Sequence, residues 1–150
     1  MPRKFNKILC PVSFDRNSTV ALKFAHDLAD SDESTLYLLH IISAPRIEPI
    51  MLEPNPVLSE RVAERELEKL AQQHLTTSAS HHILVRRGDP ATLIVAVADE
   101  LNVDLIVMPT HGHVGITRTI LGSIAERVVR EAKSPVLTIR PGSRSSDSAV

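Results

Sequence analysis

The stretch "MPTHGHVGITRTILGSIAERVV", Met108 to Val129, gathers the residues best suited to holding an anion. Three of the chain's five glycines fall in it, Gly112, Gly115 and Gly122. Glycine tolerates positive φ and lets backbone approach a ligand closely. Gly122-Ser123 stands where an amphipathic run begins. A helix start presents unpaired amides at the positive end of a dipole. A loop running from Gly112 to Gly122 and ending on such a helix can cradle phosphates. Arg118 is the only Lys or Arg inside it, and Thr117, Thr119 and Ser123 add hydroxyls. His111 and His113 flank Gly112, and either can face a phosphate when protonated. A second reading uses the same residues. Ser123-Ile124-Ala125-Glu126 matches the S-x-x-E capping box, in which Ser123 caps its own helix and the glycines only turn the chain. The loop carries neither Gly-Lys-Ser/Thr nor G-x-G-x-x-G.

Elsewhere the chemistry is sparse. No Ser/His/Asp or Cys/His arrangement is visible, so no catalytic residue is assigned and any hydrolysis is expected to be weak. His111 and His113 have no neighbouring Cys or carboxylate, and no metal ligand is assigned. His81-His82 straddles two faces of a predicted strand and reads as structural, and His40 as a satisfied, partly buried histidine. Cys10, the single cysteine, sits in a predicted core strand and reads as a small hydrophobe. Net charge is -1, from 17 basic and 18 acidic residues, which leaves no footprint for nucleic acid or an anionic membrane. No apolar run approaches the roughly 18 residues of a membrane span. The opening "MPRKFNKILCPVSF" has too short an apolar run for a signal peptide, so a cytoplasmic protein is expected.

The elements that must position the loop follow from periodicity. "KILCPV", Lys7 to Val12, is a short apolar run that reads as a buried strand. Asn17 or Ser18 can cap a first helix with Ala21, Phe24, Ala25 and Leu28 on one face. Ser34 to Ile42 is a second strand, apolar enough to be buried on both faces. Residues 43–57 hold four prolines and form an irregular connection. A charged amphipathic helix follows, with Ala63, Leu67, Leu70 and Ala71 inward. "HHILVRRG" is a third strand, and Asp89-Pro90 opens a third helix as cap and first residue. "VDLIVMP" is a central strand, "SIAERVVREAK" the last helix and "SPVLTIRP" the last strand. Residues 1–141 make one domain, and 142–150 a polar tail expected to be disordered. The class is α/β, a doubly wound five-stranded parallel sheet with helices on both faces. Ligands in such sheets sit beyond the carboxyl ends of strands where the strand order reverses. That points to Pro11–Asp15 and Met108–Gly112.

The register Pro109-x2-Gly112-x9-Gly122-Ser123 resembles the G-x2-G-x9-G-[S/T] motif of the universal stress protein family. "LGSIAERVVREAKSPVLTIRP" and "KILCPVSFDRNSTVALKFA" are similar to that family's closing and opening segments. The resemblance implies an adenine nucleotide alpha hydrolase-like sheet in the order 3-2-1-4-5. It implies a homodimer, joined through the last strand, Val136 to Arg140, and a stress-response sensor or regulator that binds ATP or AMP, with Mg²⁺. The base would be walled by Pro11, Val12 and Ile41. The ribose would lie against Met108, Pro109 and Thr110, beside His111. The phosphates would meet the backbone of Gly112, Gly122, Ser123 and Ile124. Two residues depart from the pattern. Pro109 replaces the first glycine and has no amide hydrogen. Ser13 stands where nucleotide-binding members commonly carry aspartate, with Asp15 two residues on as a substitute or a helix-start residue. These departures leave open a second reading, a dimeric module of the same family that binds no nucleotide and serves an unknown protein partner.

Overall fold

The computed structural model describes residues 5–29, 32–43, 56–76, 79–110 and 121–140. Nine elements alternate along them: β1 Lys7–Pro11, α1 Arg16–Leu28, β2 Thr35–Ser43, α2 Pro56–His74, β3 Ser80–Gly88, α3 Pro90–Leu101, β4 Leu105–Pro109, α4 Ser123–Glu131 and β5 Val136–Ile139. The strands form one parallel sheet in the order β3-β2-β1-β4-β5. The order expected from the resemblance is therefore the observed one, and β1 and β4 lie side by side.

Alternation along the strands feeds two separate cores. Ile8, Cys10, Leu36, Leu38, Leu105 and Val107 point to the face covered by Ala21, Leu22 and Ala25 of α1 and by Leu67 and Ala71 of α2. Leu9, Leu39, Ile106 and Met108 point the other way, onto Ile94, Val97 and Ala98 of α3 and Ala125 and Val128 of α4. Period-2 strands between helix pairs give this three-layer sandwich directly. Every residue of β4 is buried, as its unbroken apolar run requires.

The helix ends differ from the sequence reading in physical detail. Asp15, not Asn17 or Ser18, caps α1, and its Oδ1 accepts the Ser18 amide at 2.8 Å. Ser18 and Leu22 are buried in place of Leu28, which is 39% exposed. Ser18, Ala21, Leu22 and Ala25 follow the i, i+3, i+4, i+7 spacing of one face, and Leu28, the last helical residue, falls to its side. α4 is capped by Gly122 without a side-chain bond, so Ser123 is the first helical residue rather than the cap. α3 ends on Asn102 in the left-handed region, φ 51°, a backbone that asparagine tolerates.

Asp89 behaves as read, and does more. As cap of α3 its Oδ2 accepts the Thr92 amide at 3.1 Å and the Thr92 hydroxyl at 2.6 Å. It also accepts Arg127 Nη1 of α4 at 2.9 Å. Those bonds, Thr92 first and Arg127 after, hold its carboxyl at about 2 against an ordinary 3.8. The folded-state value lies below the unfolded one, so this contribution is complete above the unfolded value and vanishes as pH falls through about 2. Asp89→Asn is expected to lower Tm by a few degrees at neutral pH and to flatten the acid limb between those values. Thermal melts against pH check this; identical acid limbs in parent and variant would count against it.

Candidate functional site

The site begins with a ladder that stops. Along a parallel strand, successive residues bond alternately to the two neighbours. On β1, Val12 N donates to Leu39 O of β2 at 2.8 Å, so even residues face β2 and odd residues face β4. On β4, Ile106 N donates to Pro135 O and Thr110 N to Ile139 O, both at 2.9 Å, so even residues face β5 and odd residues face β1. Pairing between β1 and β4 covers only Ile8↔Leu105 and Leu9↔Ile106. The next two rungs of that register would be donated by Pro11, to Val107 O, and by Pro109, to Pro11 O. Proline has no amide hydrogen. Two prolines, one on each strand, thus end the ladder at its carboxyl end. Pairing on the outer sides runs on to Pro11↔Leu39 and Pro109↔Ile139.

A cavity of about 400 Å³ opens where the strands part. Of the site residues read from the sequence, Pro11, Val12, Ser13, Ile41, Met108, Pro109, Gly122, Ser123 and Ile124 line it. Thr110 is buried rather than on the wall, and its carbonyl accepts the Gly122 amide at 2.7 Å. That bond fixes the start of α4 against the end of β4. His111 and Gly112 lie outside the described residues, as do Gly115 and Arg118. Seven further lining residues escaped the sequence reading: Ser18, Leu39, His40, Ser43, Pro90, Ile94 and Ala125. Ile94 and Ala125 belong to the core of their helices, and nothing in a single sequence says which core positions border a void.

The two sides of the cavity differ in polarity. The first helical bond of α4 is Glu126 N to Gly122 O at 2.9 Å, so the amides of Ser123, Ile124 and Ala125 precede the helical ladder and are open to an acceptor. The Gly122 amide, expected to meet phosphate, is given to Thr110 instead. The donor set is therefore shifted one residue into the helix. Ser13 is held in a knot. Its amide donates to Ser18 Oγ at 3.0 Å, and its hydroxyl donates to Asp15 Oδ2 at 2.8 Å and lies 2.9 Å from Ser18 Oγ. Phe14, at φ 60° in a region aromatic residues rarely occupy, bends the chain to make those contacts. The Phe14 ring rests on His40, centroids 4.4 Å apart. His40 Nδ1 lies 2.7 Å from Val12 O, and since a carbonyl only accepts, Nδ1 carries the proton. Burial pushes the Cys10 thiol up to about 12, so it stays protonated and packs as a hydrophobe. His81 and His82 are exposed on β3, with His82 stacked on Tyr37.

The parallel five-stranded sheet, with a cavity at its strand-order reversal, is the architecture of doubly wound α/β proteins. The family model described as the universal stress protein family matches residues 4–140. The chain belongs to that family, and its sheet is the adenine nucleotide alpha hydrolase-like fold. It is 29% identical over 140 residues to universal stress protein MJ0531 of Methanocaldococcus jannaschii, covering 91% of this chain and 82% of that one. Universal stress protein UspA from Lactobacillus plantarum superposes with a TM-score of 0.78 at 27% identity, covering 92% and 99%. Two others share the fold at lower identity. A universal stress protein in complex with cAMP has a TM-score of 0.68 at 20% identity, covering 92% and 98%. One from Archaeoglobus fulgidus in complex with dAMP has 0.62 at 21%, covering 91% and 99%. Among the described residues, no helix is long and apolar enough to cross a membrane.

Proposed function

We propose that this protein binds an adenine nucleotide, ATP or AMP, in the cavity between β1 and β4, and acts as a stress-response sensor or regulator rather than an efficient enzyme. The observation that carries the reading is the polarity of the cavity. An apolar wall of Leu39, Ile41 and Ile94 faces the open amides of Ser123, Ile124 and Ala125. A flat base suits the first and a phosphate the second. The ribose then falls between them, at Pro109 and Ser13. Any Mg²⁺ arrives with the phosphates. The adenine nucleotides held by the related structures in complex with cAMP and dAMP support the reading.

A second copy pairs along β5, Val136 to Arg140. This strand lies at a sheet edge and carries Leu137 at 37% exposure. Covering such an edge blocks unwanted pairing. The dimer is the form read by a protein partner.

Titration calorimetry with ATP, ADP and AMP, with and without Mg²⁺, tests the binding. Saturable heat below millimolar nucleotide is expected. No heat with any of them at millimolar concentration would remove the reading. It would favour the module without nucleotide, for which Pro109→Gly combined with Ser13→Asp should create binding that the parent lacks.

A further inference from the structure

We infer that the crevice between β1 and β4 recognises a free ribose diol, so that this site selects nucleotides with both 2′- and 3′-hydroxyls over deoxy and 3′,5′-cyclic forms. The inference rests on the nucleotide reading of the cavity and narrows its ligand class.

The argument is an inventory of hydrogen-bond donors. At the end of β1, Pro11 has none, Val12 N is given to Leu39 O, and Ser13 N is given to Ser18 Oγ. The Ser13 hydroxyl hydrogen is given to Asp15 Oδ2. The hydrogen between the two serine oxygens must then come from Ser18, which leaves Ser13 Oγ with acceptor capacity only. At the end of β4, Pro109 has no amide hydrogen and Thr110 N is given to Ile139 O. Met108 N faces β5 by the alternation of the strand. Every backbone or serine donor on these two strand ends is absent or committed.

Acceptors accumulate in the same place. Pro11 O, on the cavity wall, loses the donor that a continued β1–β4 ladder would supply, whereas Val107 O loses its donor too but is fully buried away from the wall. Pro11 O has only the Cys10 thiol, a weak donor, at 3.9 Å. Pro109 O faces the crevice by the same parity. A buried carbonyl without a donor is costly, and a ligand hydroxyl relieves that cost. A phosphate or ester oxygen does the opposite, since it brings lone pairs against lone pairs. The cavity is thus sorted by hydrogen-bond sense: acceptors at the strand ends, donors at the start of α4. A 5′-nucleotide with a free diol matches both. Removing one hydroxyl leaves an acceptor unmet. Cyclising the phosphate removes the 3′ donor and brings charge to the acceptor side.

Titration calorimetry with AMP, 2′-deoxy-AMP, 3′-deoxy-AMP and 3′,5′-cyclic AMP decides the matter. AMP is expected to bind about tenfold more tightly than either deoxy form, the cost of one hydrogen bond to a buried acceptor. The cyclic form should be weaker by at least about as much. Pro109→Ala supplies an N–H on the crevice side and should shrink the ratio of AMP to cyclic AMP affinity. If that variant fails to fold, the ligand series on the parent stands by itself. Parent affinity for a deoxy or cyclic form within about twofold of AMP would overturn the diol preference and leave the nucleotide reading intact. An unchanged ratio in folded Pro109→Ala would overturn the part given to the missing amide. No binding of any adenine nucleotide would overturn both readings together.

Discussion

Ile41→Trp lowers affinity for adenine nucleotide by at least about a hundredfold, a loss of roughly 2.7 kcal/mol, and leaves the fold intact. Ile41 stands near the carboxyl end of β2 on the α3–α4 face, half-buried, with its side chain on the cavity wall. A larger ring there grows into open space rather than into packed core. It occupies part of the about 400 Å³ that a base would need. Overpacking a filled core costs stability, whereas filling a void costs little or stabilises. The expected signature is therefore a loss of binding heat with Tm unchanged or raised. A variant that binds AMP like the parent would show that the base does not lie against β2.

Leu9→Ala acts on the opposite property. Leu9 is fully buried at the last paired rung between β1 and β4, opposite Ile106, and opposite Tyr37 on the other side. It lies in the core shared with α3 and α4, directly below the point where the strands part. Truncating a buried leucine costs about 3–4 kcal/mol, the lost transfer energy plus the cavity left behind. For a chain of this size, that shifts Tm down by about 6–16 °C. Urea unfolding should show a lower midpoint with unchanged slope, since the surface exposed on unfolding is nearly the same. A loss under about 1 kcal/mol would mean that the neighbours collapse into the space, and that the central sheet is less tightly packed than its burial implies.

These two residues mark the boundary between what sequence can tell and what it cannot. Leu9 was legible. It sits in a short apolar run ended by proline, and a buried strand is the only economical reading of that run. The same physics made β4 central and put Asp89 at the start of α3. Helix starts were less secure. Asp15 displaced Asn17 and Ser18 as cap because Phe14 adopts a left-handed turn, which no propensity announces. Ser123 lost its capping role because Gly122 N–H finds Thr110 O across the sheet, a contact set by tertiary placement.

Pro109 illustrates the boundary most sharply. Read along the chain, it is a glycine motif with its first glycine missing. Read across the sheet, it is one of two prolines that end a ladder. Pro11 alone explains the end of a strand. Only its position opposite β4 shows that both prolines delete successive rungs of the same pairing. The sequence by itself determined the element types, the parallel order through its family resemblance, and most of the residues around the cavity. Those depend on local periodicity, turn chemistry and a motif of fixed spacing. The tertiary structure decided which amides remain open, which carbonyls face the crevice, and which helix residues border the void. Those depend on partners far apart in the chain, and a hydrogen bond is spent or free only once its partner is in place.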